Sequence, residues 1–335
     1  MTDEVYEKVK SNLIIFDMFV KAESVLSKYN NIACSISGGA DSDILIDVCE
    51  KVKPKSVRYV FFNTGIEYKA TLDHLTYLES KYGVKIERIR SKLTVPKAIK
   101  EAGQPFLSKN SNTMIARLQS RNFDFANSAN KSLEELEQEY PKTRAALRWW
   151  TNDFDYTRKR KDGKQVHSKF SVGYNKYLRE FMIDNPPNFK ISNMCCKYVK
   201  KDTAAKFIKD NGIDLMIVGT RKAEGGARSS AYKSCFDQSN HGTAQYRPIF
   251  WFKNDDRKEY EETFNIVHSK CYTEYGLKRT GCAGCPYGRD YQYELEVLEK
   301  YEPKLAVAIK NIFADSYAYT KKYEEYKENR DRKTE

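Results

Sequence analysis

Ser37-Gly38-Gly39-Ala40-Asp41-Ser42 stands between two apolar runs, Ile32-Ala33-Cys34-Ser35-Ile36 before it and Ile44-Leu45-Ile46-Asp47-Val48 after it. A strand, a glycine turn and then a helix is how a chain builds an anion-binding cradle. The two glycines let the backbone turn tightly and come close to a ligand. The first turn of the following helix points unbonded N–H groups and the positive end of its dipole at that ligand. Ser37 and Ser42 add hydroxyl donors, and Asp41 can cap the helix or help to hold a cation. The stretch is neither the Gly-x-x-x-x-Gly-Lys-Ser/Thr of a P-loop nor a Gly-x-Gly-x-x-Gly.

Outward from this loop the pattern is strand and helix in alternation. The spacing predicts strands near 31–37, 57–64 and 84–90, with helices near 41–52 and 67–82 between them. The run Val57 to Thr64, VRYVFFNT, reads as a continuous and largely apolar strand, as a strand buried on both faces in a parallel sheet is. Leu215-Met216-Ile217-Val218-Gly219 reads as a fourth parallel strand, and Gln245 to Phe252 as a further one. Alternation of this kind predicts an α/β fold with a parallel sheet flanked by helices. Residues 2–29 read as one amphipathic helix, carried by Val5, Val9, Ile15, Phe16, Phe19 and Val20.

Between about 93 and 189 strand signal is scarce, and a mostly helical insertion is expected. Ser132-Leu133-Glu134-Glu135 opens a helix with a capping-box pattern. Trp149-Trp150 and the basic cluster Arg158-Lys159-Arg160-Lys161 with Lys164 follow, and Pro186-Pro187 punctuates the end. Residues 291–335 read as C-terminal helices, with a charged and disordered tail after Lys327. The expected organisation is therefore an N-terminal helix (1–29), an α/β domain (30–92 and 190–290), the insertion (93–189) and the C-terminal helices.

The 335 residues are 40% hydrophobic, enough for a sizeable core. No stretch approaches the roughly 18 apolar residues of a membrane span. Asp3, Glu4 and Glu7 stand where a signal peptide would be positive, so a cytoplasmic protein with no membrane partner is expected. The formal net charge of +12 permits nucleic-acid binding, and 24 tyrosines could offer stacking surfaces to bases or simply replace phenylalanine in the core. Eight cysteines in a reducing compartment point to metal or catalytic use rather than disulfides.

Ligands of a parallel sheet sit beyond the carboxyl ends of its strands. There the second strand runs into Asn63-Thr64-Gly65-Ile66-Glu67, and the fourth into Gly219-Thr220-Arg221-Lys222-Ala223-Glu224 with Arg228 beyond. Glu67 is placed to contact a ribose or to cap the next helix. Arg221 and Arg228 suit phosphate or sulfate, because a guanidinium offers a planar fork of donors. Cys195 and Cys196 are adjacent, and Cys282-Ala283-Gly284-Cys285 follows after 85 intervening residues. Four thiolates divided two and two can hold an iron–sulfur cluster, and four-cysteine zinc fits by count. Adjacent cysteines suit a cuboidal [4Fe–4S] cluster better, since its irons lie about 2.7 Å apart and each neighbour can take its own. Cys34 and Cys49 read as core. Cys235 and Cys271 are open as carriers of reactive sulfur or as spectators. The four histidines form no ligand spacing, and His241 is the one nearest the arginine loop.

Ser-Gly-Gly-x-Asp-Ser resembles the pyrophosphate-binding loop of the N-type ATP pyrophosphatases, a superfamily that includes the PAPS and APS (sulfonucleotide) reductases and many thiolating enzymes. Asn63-Thr64-Gly65, Gly219-x-Arg221-x-x-Glu224 with Arg228, Arg247-Pro248-Ile249 with Trp251, and the cysteine quartet resemble positions of the PAPS reductase family, including its [4Fe–4S] branch. The resemblance covers roughly 30–92 and 190–290. It implies an adenine-nucleotide alpha-hydrolase-like (Rossmann-like) fold. It also implies ATP, APS or PAPS bound by Ser37, Gly38, Gly39, Asp41, Ser42, Asn63, Thr64, Gly65, Glu67, Gly219 and Arg221. Mg²⁺ would bridge the phosphates, Asp41, Arg221 and Arg228 would be catalytic, and Cys195, Cys196, Cys282 and Cys285 would hold the cluster.

Two departures bear on the chemistry. Family reductases use a cysteine in a C-terminal tail, and no cysteine follows Cys285 here. The loop keeps both glycines and its last serine, as the ATP-cleaving members do, although Ala40 stands where a lysine is common. The expected activity is therefore an ATP pyrophosphatase-type sulfurtransferase acting on DNA or tRNA, with the sulfur donor open. A sulfonucleotide reductase working through Cys235 or Cys271, and a non-catalytic nucleotide- or DNA-binding regulator, are the alternatives.

Overall fold

In a computed structural model the protein is described at residues 2–154, 159, 163, 166–225, 231–238, 242–288 and 290–333. The chain divides into two compact units. The first comprises 1–92, 199–283 and 296–305; the second comprises 93–198, 284–295 and 306–335.

The first unit is built on a sheet of β1 (Ile32–Ser35), β2 (Val57–Asn63), β3 (Ile86–Arg90), β4 (Leu215–Ile217), β5 (Phe236–Gln238) and β6 (Ala244–Tyr246), in the order β3-β2-β1-β4-β6-β5. Every neighbouring pair is parallel except β5 with β6. β1 lies centrally, with Ile32 in register with Val57 on one side and Leu215 on the other. Its apolar residues face both ways. One face joins a large core with Ile44, Leu45 and Val48 of helix α3 (Ala40–Val52), and the other buries Ala33, Val60 and Met216 with Phe207. This is the α/β fold that the alternation predicts.

Three expectations about the first unit are corrected. The N-terminal helix is two, α1 (Asp3–Val9) and α2 (Leu13–Leu26), because the Asn12 side chain accepts the N–H groups of Ile14 and Ile15 and starts a new helix. Val20, counted among the apolar stripe, is exposed. The strand expected over 245–252 is only Ala244–Tyr246, after which the chain turns through bonds from Phe250 N–H to Arg247 O and from Phe252 N–H to Ile249 O.

The second unit is helical, as expected of the insertion. Helices Val95–Ala102, Lys109–Gln119, Leu133–Glu139, Arg144–Trp150, Leu178–Asp184 and Ala314–Arg332 belong to it. Its core gathers Phe106, Trp149, Trp150, Phe181, Tyr319 and Tyr323. The tail after Lys327, expected to be disordered, continues as helix to Arg332. Tyr323 and Tyr326 pack on that core, and Asp331 pairs with Lys176. Among the described residues no helix is long and apolar enough to cross a membrane.

Candidate functional site

The loop between β1 and α3 takes the shape its glycines allow. Gly38 has φ +69°, and a Cβ there would lie 2.7 Å from Thr71 Cγ2 of α4 (Lys69–Tyr82). Gly39 is the N-cap of α3. Its N–H donates to Ser42 Oγ at 3.1 Å and to Ser37 Oγ at 3.3 Å, and Ser42 Oγ donates back to Gly39 O at 2.7 Å. The serines therefore brace the loop rather than pointing freely outward.

A residue that the sequence motifs do not reveal closes over it. The N–H of Ala40, first in α3, donates to the Tyr272 hydroxyl at 3.2 Å. A Cβ built on Gly39 would meet Thr280 Oγ1 at 3.1 Å and the Tyr272 hydroxyl at 3.2 Å. Burial pushes the Tyr272 hydroxyl pKa up, so it stays a neutral partner.

Asp41, in the first turn of α3, accepts from Arg221 Nε at 2.9 Å, and Arg257 Nη1 lies 3.7 Å from the same oxygen. Burial raises the Asp41 carboxyl; Arg221 draws it down and the Glu224 carboxyl beside it pushes it up, leaving it at about 6. Arg221 is held further by Asn254 Oδ1 at 3.1 Å from Nη1. The loop end and the β4 end are thus joined, with Gly219 against Asp41 and Leu45. With two guanidinium groups already on Asp41, the residues present suit an anion here better than a divalent cation. Arg228, His241 and the basic residues 158, 160, 161 and 164 lie outside the described residues.

A chain of charge runs inward from the half-buried Arg257 to the buried Asp43. Arg257 Nε lies 2.8 Å from Glu261 Oε1, and Glu261 Oε1 lies 3.1 Å from His268 Nε2, an ion contact without the alignment of a hydrogen bond. His268 Nδ1 is 2.9 Å from Asp43 Oδ2, and His74 Nε2 is 2.9 Å from Asp43 Oδ1. Burial opposes a charge on His268, but Asp43 and Glu261 outweigh it and raise the imidazole to about 9. Two histidines with no ligand spacing in the sequence thus share one buried aspartate.

At the end of β2, Asn63 Oδ1 and Glu67 Oε2 both accept Gly65 N–H, at 2.8 and 2.9 Å. Glu67 Oε1 accepts the N–H of Thr64 at 2.8 Å and its hydroxyl at 2.6 Å. Glu67 therefore caps this turn and not the next helix. The first amides of α4 are taken by Glu302, which accepts Lys69 N–H at 2.8 Å. Thr64 Oγ1 lies 3.6 Å from Cys282 Sγ, and Ala283 N–H donates to Ile66 O at 2.9 Å. The segment from Tyr272 to Ala283 therefore touches both the glycine loop and the Thr64 turn within the first unit.

Of the four cysteines singled out, Cys282 is in the first unit and Cys195, Cys196 and Cys285 are in the second. None of the eight cysteines is in a disulfide. Cys195 and Cys196 end a short turn, Met194–Cys196, that leads into a widened π-type turn, Lys197–Lys201. Burial raises the Tyr287 hydroxyl pKa, and Cys196, Cys285 and Cys195 each raise it further, so those three thiols lie within electrostatic reach of one tyrosine. That hydroxyl accepts from Asn112 Nδ2 at 2.6 Å. Gly284 has φ +56° and no room for a Cβ, which would lie 2.7 Å from Ile309 Cγ2, and the Tyr317 hydroxyl donates to its carbonyl. Among the described residues no group of three or more His, Cys, Asp or Glu side chains is arranged to hold a metal ion. Four thiols suit an iron–sulfur cluster by their chemistry, and three of these four donors belong to the second unit. Cys34, Cys49 and Cys271 are buried, and burial pushes the Cys271 thiol up.

A family model described as the phosphoadenosine phosphosulfate reductase domain matches residues 31–119 and 134–287, further than the stretches that carry the motifs. An uncharacterized protein of Methanocaldococcus jannaschii is 31% identical over 107 residues, which are 27% of this chain and 22% of the relative, so this chain spans under a quarter of that relative's length. Among solved structures, a PAPS reductase from Candida auris in a phosphate complex is 13% identical, with 84% of this chain and 96% of that chain covered and a TM-score of 0.44. The U34-tRNA thiolase NcsA of Methanococcus maripaludis, with its [4Fe-4S] cluster, is 13% identical, covering 94% of this chain and 80% of that one at 0.39. An NH3-dependent NAD synthetase of Campylobacter jejuni is 13% identical, covering 91% and 94% at 0.33. None of the three is close enough to bear on the chemistry. The family model matches well over half of the residues, and the chain belongs to the phosphoadenosine phosphosulfate reductase domain family.

Proposed function

We propose that this chain is an ATP-using sulfurtransferase of its family, which cleaves ATP to AMP and pyrophosphate to activate a DNA or tRNA acceptor for sulfur. The observation that carries the reading is the Tyr272–Ala283 segment, which lays Tyr272 and Thr280 on the glycine loop and Cys282 on Thr64. A loop suited to phosphate and a thiol of the cysteine quartet are thereby tied into one unit.

In this reading the triphosphate lies on Ser37–Ser42, where the turn and the first amides of α3 donate to its oxygens, and Mg²⁺ enters as the counter-ion of the phosphates rather than on Asp41. Arg221 offsets phosphate charge from the β4 side. An acceptor oxygen attacks the α-phosphorus, and the bond to pyrophosphate breaks as the new P–O bond forms. A hydrosulfide-class donor then bonds to the acceptor atom, and AMP leaves with the oxygen. Cys195, Cys196, Cys282 and Cys285 would hold a [4Fe–4S] cluster, which with a thiolate on each iron would supply one-electron chemistry and a charged centre when bound, not an open iron for sulfur. The net charge of +12 suits a nucleic-acid acceptor.

The family's description favours a second reading, a sulfonucleotide reductase. That reaction needs a thiolate nucleophile; Cys271 is buried with its thiol pushed up, which suits it poorly, and the half-buried Cys235 is the candidate left to this reading. The test uses the full chain purified without oxygen, with iron and sulfide analysis. Pyrophosphate released from ATP in the presence of sulfide and bulk tRNA or DNA, with no sulfite from APS or PAPS, is the expected result. Thioredoxin-dependent sulfite release with no pyrophosphate would replace this reading with the reductase.

A further inference from the structure

Arg247, just past β6, is fully buried, 0% exposed. Its Nη2 donates to Gln245 Oε1 at 2.8 Å, and its guanidinium carbon lies 3.5 Å from the centre of the Tyr232 ring. Nε and Nη1 find no hydrogen-bond partner among the described residues. The partners that the structure gives this cation, an amide oxygen and a ring face, are both neutral. A buried charge without a counter-charge and with idle donors is costly, and native interiors pair such groups.

The strand register says where this group stands. Gln245 is in register with Met216, and Met216 with Ala33. Residues paired across a sheet share a face. Ala33 and Met216 belong to the apolar cluster on the face away from α3. The guanidinium bonded to Gln245 therefore stands at the carboxyl end of β6 on that opposite face, whereas Arg221 and Asp41 meet on the side of α3.

We propose that Arg247 holds a small inorganic oxyanion, phosphate or sulfate, at a site separate from the Ser37–Ser42 loop. Guanidinium donors match the oxygens of such ions, and a charge-assisted bond in a dry setting is stronger than an exposed one. Full burial under Tyr232 selects an ion that brings no bulky body with it. The site does not depend on what the glycine loop binds, so it stands apart from the proposed function.

The experiment is a titration of the full chain, labelled with ¹⁵N-arginine, with sodium phosphate or sodium sulfate against sodium chloride of equal ionic strength. The Nε–H resonance of Arg247 is identified by its loss in Arg247→Gln. A saturable shift of that resonance with phosphate or sulfate, absent with chloride and retained when Gly38→Ala disables the loop, is expected. In the Gly38→Ala background, thermal stabilisation by phosphate should need about tenfold more phosphate once Arg247→Gln is added, the scale of one charge-assisted contact. A resonance that stays in place through the titration would overturn the proposal, and so would one that moves with AMP but not with inorganic phosphate or sulfate. The wild-type titration decides the matter even where Arg247→Gln fails to fold, with Arg247→Lys then supplying the assignment.

Discussion

The Tyr272 hydroxyl accepts the backbone N–H of Ala40 at 3.2 Å, and so takes a donor that a phosphate on the glycine loop would use. Binding of a phosphate at that amide has to break this bond. Tyr272→Phe leaves the ring and removes the competitor, so ATP binding should tighten by about three- to tenfold, the worth of one neutral hydrogen bond of about 1 kcal/mol. Calorimetric titration checks this. Weaker binding in the variant would mean that the hydroxyl serves the ligand itself.

Asp41 and Arg221 set a pH dependence. With its carboxyl near 6, Asp41 loses its charge as pH falls through that value, and Arg221 is then released toward phosphate. ATP affinity measured in EDTA should rise between pH 7.5 and 5 relative to Asp41→Asn, whose own profile reflects the nucleotide alone. Parallel profiles in the two proteins would remove Asp41 as the cause. The stability sign follows from linkage. A carboxyl raised in the folded state contributes stability below its unfolded value of 3.8 that is lost as pH rises through about 6.

His268 has the same sign in another window. Its imidazole, raised from 6.5 to about 9 by Asp43 and Glu261 against burial, contributes stability that is complete below 6.5 and lost as pH climbs through 9. The loss should be on the order of 2–3 kcal/mol between pH 6.5 and 9.5, and His268→Gln should flatten it. Denaturant melts at four or five pH values suffice. A wild-type curve already flat across this range would show that the Asp43 contact carries no proton.

What the sequence made readable was what local pattern controls. β1 and β4 are short apolar runs, β2 is mostly apolar despite Arg58, and the glycine loop follows β1 directly, so strand, turn and helix could each be placed. β5 was missed because Phe236-Asp237-Gln238 is a short, largely exposed edge strand with no apolar run to mark it. The break at Asn12 was hidden because the apolar spacing runs on across it while the cap lies in a single side chain. Glu67 was within reach of the sequence, but which amides it caps was not, because Glu302 had already taken those of α4. Tyr272, Thr280, Arg257 and His268 come more than two hundred residues after the loop they serve. Nothing in their own neighbourhood marks them, and only the fold brings them to Ala40, Gly39, Asp41 and Asp43.

The central claim, that the Ser37–Ser42 loop grips nucleotide phosphates, is tested most directly at Gly38. Its φ of +69° and the 2.7 Å that a Cβ would leave to Thr71 Cγ2 make Gly38→Ala a change of loop shape with no change of charge. The measurement is ATP affinity by calorimetry on wild type and Gly38→Ala, with circular dichroism to verify that the variant is folded. The account expects a folded variant that binds ATP at least about a hundredfold more weakly, as several aligned donors are lost together. A folded Gly38→Ala that binds ATP as wild type does would contradict it.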